Sequence, residues 1–107
     1  MSTFDDRQKG QEAKFAHDAQ LRFKAEARRN KLLGIWAAEM MGLTGDEANA
    51  YAAEVVAADF AEAGDEDVFR KVSGDLKDKG LNISEATIRE KMTQLVAVAQ
   101  EQVLAEG

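Results

Sequence analysis

The sequence predicts an all-α fold, a small four-helix bundle with a mobile or extended N-terminal segment. Its 107 residues include no proline, so the strongest helix breaker is absent. Apolar residues recur at helical spacing, and cap residues stand at the expected helix ends. Short links between the later helices favour antiparallel neighbours. We expect a flexible segment over residues 1–15 and a bundle over residues 16–107, with helices at about 16–41, 45–63, 66–79 and 85–105.

The first helix could run from about Phe4 to Met41, and Gly42 stands just beyond that end, where glycine is favoured. Gly34 is a weak point inside it but not a stop. Only the second half has an apolar stripe, formed by Leu32, Leu33, Trp36, Ala37 and Met40.

The second helix follows Thr44, which with Glu47 has the spacing of a capping box, and it is expected to end near Ala63 before Gly64. Its apolar residues lie on more than one side, which indicates a position between neighbours: Tyr51, Ala52, Val55, Val56 and Phe60.

The last two helices have their own start signals. Asp65 is a suitable N-cap for the third helix, which ends before Gly80 and offers Val68, Phe69, Val72 and Leu76 to the core. Ser84 caps the fourth helix, and Ile83 can pack on Ile88 as a hydrophobic staple. The apolar stripe of the fourth helix is Ile88, Met92, Leu95, Val96, Ala99 and Val103.

The N-terminal region differs from this body in charge. Residues 1–31 contain eight Lys/Arg and five Asp/Glu, whereas the whole chain has a net charge of −6. Such asymmetry indicates that one part contacts a partner while the other part maintains the fold. Phe15, Ala19 and Phe23 follow one another at four-residue steps, so two aromatic rings can share one helix face and bind a groove. The alternative is that these rings, Phe23 above all, fold back on the bundle.

No residue pattern indicates an enzyme or a metal site. The chain has no cysteine, and its eight glycines are dispersed, so they form no phosphate loop. Its single histidine, His17, is expected to be solvated on a polar helix. The acidic run that begins at Asp65 lacks the alternating ligands of a calcium loop. Asp59 interrupts an apolar stretch, and we expect a half-buried carboxylate paired with a lysine or arginine rather than a partner-facing charge.

One basic cluster admits two interpretations; it consists of Lys24, Arg28, Arg29 and Lys31. Nucleic-acid binding is one, but the chain is acidic overall, and interleaved carboxylates would repel phosphates, so an acidic protein surface is the better partner.

No apolar run approaches the roughly 18 residues of a membrane span, and the N-terminus has no secretory-signal pattern, so we expect a cytoplasmic location without membrane insertion.

Three stretches of the sequence resemble the zeta subunit family, the intrinsic inhibitors of alphaproteobacterial F-type ATP synthases. They are Phe4-Asp5-Asp6-Arg7, AKFAHDAQLRFKAEARRNKLLGIWAAE (Ala13–Glu39) and VVAADFAEAGDEDVFRKV (Val55–Val72). The resemblance extends along essentially the whole chain and is weakest from about Ser73 onwards.

The resemblance implies a four-helix bundle, monomeric when free, whose N-terminal segment inserts between the catalytic alpha and beta subunits next to gamma and blocks ATP hydrolysis. The basic cluster would then be a supporting neck. Gly10 departs from the pattern and puts inhibitory strength in question. No cofactor is implied; the resemblance leaves weak adenine-nucleotide binding by the bundle open, and a nucleotide-sensing module is an alternative function. The implied inhibitory residues are Phe4, Asp5, Asp6, Arg7, Lys14 and Phe15.

Overall fold

The computed structural model describes residues 18–59 and 65–106, which form four α-helices and no strand. The all-α prediction is confirmed. The helices are α1 (Ala19–Met40), α2 (Gly45–Ala58), α3 (Glu66–Asp78) and α4 (Glu85–Glu106). The longest two, α1 and α4, have 22 residues each, and α1 packs mainly on α2 and α4.

Two helix ends differ from the prediction. The first helix begins at Ala19 rather than at 16, because Asp18 caps it. The second ends at Ala58, with Asp59 as its C-cap, rather than near Ala63. Asp59 N–H donates to the Val56 carbonyl at 3.3 Å, a three-residue turn that tightens the end of α2.

The main core combines side chains from all four helices. The largest fully buried apolar ones are Leu33, Val55, Val68, Val72, Leu76 and Ile88. Trp36, Phe69, Ile83 and Leu95 pack at its edge. One expected member of the α4 stripe is wrong: Val96 is 39% exposed, because it faces a groove between α4 and the start of α3 rather than the core.

Gly34 allows α1 and α2 to cross closely. A Cβ atom at this position would lie 2.7 Å from the Cα atom of Ala52 and 3.2 Å from a methyl group of Val55. A contact of 2.7 Å with backbone cannot be relieved by rotating a side chain. The residue that weakens α1 as an isolated helix is therefore the one that lets the two helices approach each other.

Gly42 and Gly80 end α1 and α3 in the same way. Both have positive φ, 81° and 75°, which a residue without Cβ adopts at little cost. After α1, Leu43 N–H donates to the Ala38 carbonyl at 2.9 Å, and after α3, Leu81 N–H donates to the Leu76 carbonyl at 3.0 Å. These six-to-one bonds define Schellman caps and confirm both predicted stops.

The three predicted N-caps have different outcomes. Ser84 Oγ accepts the Thr87 backbone N–H at 3.1 Å, as predicted. Thr44 occupies the N-cap position of α2, but its side chain makes no cap bond; its carbonyl oxygen accepts from Glu47 N–H instead. The predicted capping box is therefore wrong, although the helix start is right. Asp65 stands at the N-cap of α3, also without a side-chain cap bond, because its carboxylate binds an arginine of α1.

Candidate partner-binding surface

The expected inhibitory residues lie before the described part of the chain. This applies to Phe4, Asp5, Asp6, Arg7, Lys14 and Phe15, and also to His17. The described chain starts at Asp18, whose carboxylate accepts the backbone N–H groups of Gln20 and Leu21 at 3.0 and 3.2 Å. This cap fixes the beginning of α1 immediately after the segment that the sequence assigns to inhibition.

The first turns of α1 form an exposed surface. Ala19, Gln20, Phe23 and Lys24 line a shallow depression there, which we call the α1 surface. Phe23 is 61% exposed, so it does not fold back on the bundle. Ala19 precedes Phe23 by four residues, so the two apolar side chains lie on the same face, as the sequence predicted.

Arg28 and Arg29, two members of the basic cluster, are used inside the protein. Arg28 donates from Nη1 to the Gln102 side chain at 3.0 Å and from Nη2 to Glu106 Oε2 at 2.7 Å, both on α4. Lys24 and Lys31 are exposed. The four cations therefore do not form one continuous surface, and the prediction of a shared basic patch is wrong in this respect.

Arg29 is almost completely buried, with 4% of its surface exposed. Its Nη2 donates to Asp65 Oδ1 at 2.7 Å, and its Nε donates to Asn30 Oδ1 at 2.7 Å. The hydrogen bond from the guanidinium holds the pKa of Asp65 below its usual value. This contact ties α1 to the start of α3, because a buried cation requires a partner.

A sequence signal for this burial existed. Arg29 follows Ala25 and precedes Leu33 by four residues each, and both neighbours are buried. Four-residue steps stay on one helix face. Because the apolar stripe of α1 was recognised only from Leu32 onwards, an arginine at an earlier position of the same stripe was assigned to the surface.

Asp59 is half-buried as expected, but its neighbour is not a cation. One carboxylate oxygen each from Glu26, Asp59 and Asp65 lie within 4.8 Å of one another, and we call these three residues the carboxyl cluster. Within residues 18–59 and 65–106 no ion pair joins Asp59 to a lysine or arginine, so that expectation is wrong. Burial and the adjacent Asp59 raise the pKa of Glu26.

Comparison with known proteins decides the family. The ATPase inhibitor subunit zeta family matches residues 1–102 of the chain. The chain belongs to this family. The match covers essentially the whole sequence and includes the N-terminal segment, so the resemblance drawn from the sequence motifs is confirmed.

One similar protein has a solved solution NMR structure. Its sequence is 61% identical to this chain, the alignment covers 81% of this chain and 99% of that one, and the TM-score is 0.74. No curated protein matches the chain. Family membership assigns the chain an ATPase inhibitor role. In the part of the chain that the structure describes, no helix is long and apolar enough to cross a membrane.

Proposed function

We propose that the chain inhibits ATP hydrolysis by an F-type ATP synthase and does so by inserting residues 1–15 between catalytic alpha and beta subunits, next to gamma. The observation that carries the proposal is the family match, which runs through residues 1–102 and so includes this segment. The protein acts as a regulatory subunit rather than as an enzyme.

The structure of α1 supports this mode of action. Of residues 19–24, Leu21 is half-buried and the other five are exposed; burial begins at Ala25. The start of the helix therefore stands clear of the main core and can carry the preceding segment to a partner. Farther along, the bonds from Arg28 to α4 and from Arg29 to Asp65 hold the helix on the body.

Each proposed residue has a role that its chemistry suits. Phe4 and Phe15 serve as apolar anchors, since aromatic side chains bury large area at protein interfaces. Asp5, Asp6, Arg7 and Lys14 pair with charges of the catalytic subunits. Lys24 and Lys31 remain as the exposed supporting neck, while Arg28 and Arg29 contribute by orienting α1. The list of contact residues is Phe4, Asp5, Asp6, Arg7, Lys14 and Phe15.

The free inhibitor is proposed to be a cytoplasmic monomer that joins the membrane-bound synthase peripherally and needs no cofactor. Nucleic-acid binding is disfavoured, because two of the four cations on which it depended are occupied by Gln102, Glu106 and Asp65. A fall in inhibitory activity when the protein is stripped of nucleotide would contradict the absence of a cofactor.

The test is a hydrolysis assay on isolated catalytic heads. Full-length protein is expected to inhibit, and Phe4→Ala and Phe15→Ala are expected to weaken inhibition, each without a change in melting temperature. Val98→Ala serves as the matched control, because Val98 is an exposed apolar residue of α4. Unchanged hydrolysis with the full-length protein would reject the function. Inhibition by both phenylalanine variants at wild-type strength would reject the assigned contacts.

A further inference from the structure

The carboxyl cluster joins three helices at one point. Glu26 comes from α1, Asp59 is the C-cap of α2, and Asp65 is the N-cap of α3. The cluster therefore lies where α2 ends and α3 begins, and Glu26 brings α1 to the same point. Any change in its charge acts directly on how these elements meet.

The charges of the cluster do not balance. Among the described residues that line the adjoining cavities, the charged groups are Arg22, Glu26 and Arg29 of α1, Asp59 of α2, Asp65 before α3 and Arg89 of α4. Arg89 is paired with Glu66 and Glu85. Arg29 is committed to Asp65 at 2.7 Å. Arg29 also lowers the pKa of Glu26, but burial and Asp59 raise it more. Among the described residues neither Glu26 nor Asp59 forms an ion pair, so they are two neighbouring carboxyl groups without a paired cation.

We propose that Glu26 and Asp59 hold one proton between them, and that this proton closes the end of α2 onto α1 as a pH-sensitive contact. Two carboxyl groups whose oxygens lie within 4.8 Å repel each other when both are ionised. Protonation of one group removes this repulsion and supplies the donor for a hydrogen bond between them. Because the two groups are coupled, the proton belongs to the pair rather than to either residue alone.

A second observation favours a proton over a metal ion. Asn30 is completely buried, and its Nδ2 has no hydrogen-bond partner, although its Oδ1 is already bound to Arg29 Nε. Asn30 lines the same small cavity as Glu26, Asp59, Phe23, Ala27 and Val56. An amide N–H group is a donor and not a ligand, so it opposes a cation in the same cavity. The guanidinium of Arg29 beside the cluster opposes a cation as well.

The direction of the pH effect follows from the raised pKa of Glu26. A carboxyl group whose pKa is higher in the folded protein stabilises the fold below its ordinary pKa and loses that contribution as pH rises through the raised pKa. The contact between α1 and the end of α2 is therefore tightest in acid. Phe23 lines the same cavity, so this contact borders the α1 surface.

Carboxyl-detected NMR titration of the full-length protein tests the proposal. We expect the Glu26 signal to titrate above the ordinary pH range of a glutamate carboxyl group. The Val56 methyl signals should follow the Glu26 midpoint, and Asp59→Asn should move that midpoint down. Titration of Glu26 within the ordinary range of a glutamate carboxyl group, or an unchanged Glu26 midpoint in Asp59→Asn, would overturn the proposal.

Thermal unfolding and cation addition give two further outcomes. Glu26→Gln keeps the hydrogen bond to Asp59 without needing a proton, so its melting temperature should exceed that of the wild type at high pH and match it in acid. Glu39→Gln is the control and should show no such pH-dependent difference. A Glu26→Gln difference that is constant with pH contradicts a shared proton. If millimolar MgCl2 or CaCl2 shifts the Glu26 and Asp59 signals at neutral pH, the cluster binds a cation and the proposal is wrong.

Discussion

The two halves of α1 belong to one continuous helix but are held in different ways. Residues 30–40 contribute Leu33, Gly34, Ala37 and Ala38 to the buried interior, where small and apolar side chains contact α2. Residues 19–29 bury only Ala25 and Arg29. They are attached by charged groups and by a small apolar cluster in which Leu21 and Ala25 pack with Val103 and Leu104 of α4. Apolar packing fixes the second half, whereas the first half is oriented and left accessible. The difference shows how one helix can both complete a core and present a partner-binding segment.

The largest expected effect is the loss of a core side chain from the second half. Leu33 is fully buried, so Leu33→Ala removes apolar contacts and leaves a cavity. We expect the free energy of unfolding to fall by about 2–5 kcal/mol in urea denaturation. Phe23→Ala, in the first half, should change it by no more than about 0.5 kcal/mol. Equal losses from the two variants would show that the halves are not held differently.

Gly34→Ala tests the close crossing of α1 and α2. Alanine favours a helix over glycine by about 1 kcal/mol, but here its Cβ would meet the Ala52 backbone at 2.7 Å. We expect a net destabilisation of about 1–3 kcal/mol from the overpacked contact. Gly74→Ala in α3 is the control, because nothing lies within 4 Å of the added Cβ, and it should stabilise. Stabilisation by both variants would contradict the tight crossing.

Asp18→Ala tests the cap that begins the first half. Loss of the two bonds to the Gln20 and Leu21 amides is expected to cost about 1 kcal/mol. Because the first half packs little, amide exchange should accelerate mainly in residues 19–24. Asp18→Ser retains a cap acceptor and should restore protection. Faster exchange spread evenly over the bundle would mean that the first half is coupled to the core more strongly than we infer.

The smallest effects concern the two ion pairs that hold the first half of α1. The Asp65 side chain is 52% exposed, and asparagine keeps a side-chain oxygen that can accept from the buried Arg29, so Asp65→Asn should cost about 1 kcal/mol or less at neutral pH. The pKa of Asp65 is lowered, so its contribution is present above the ordinary carboxyl pKa and disappears as pH falls through the lowered value. Wild type and variant should therefore converge in acid. Glu106→Gln, which breaks the exposed pair with Arg28, should have a smaller effect that added salt removes.

Local sequence signals predicted the helices well because they depend on neighbouring residues. Gly42, Gly80 and Ser84 act as predicted, since a positive φ or a cap bond requires only a short segment. Thr44 shows the limit, because its spacing is that of a capping box but its side chain makes no cap bond.

Long-range partners could not be predicted in the same way. Arg29 and Asp65 are 36 residues apart, and nothing local to either indicates that they meet. Asp59 was expected to face a cation, yet the fold places it beside Glu26. Gly34 was recognised only as a weak point because its contact with Ala52 depends on the crossing of two helices. Such pairings depend on how the helices pack against one another, and the residue pattern of a single helix carries no information about that packing.

The central claim is that the N-terminal segment inhibits while the bundle holds it in place. Its most direct test compares ATP hydrolysis by isolated catalytic heads in the presence of full-length protein and of a variant that lacks residues 1–15. The account predicts that the truncated protein keeps the helical circular dichroism and the melting temperature of the full chain but no longer inhibits. Inhibition of equal strength by the folded, truncated protein would contradict it.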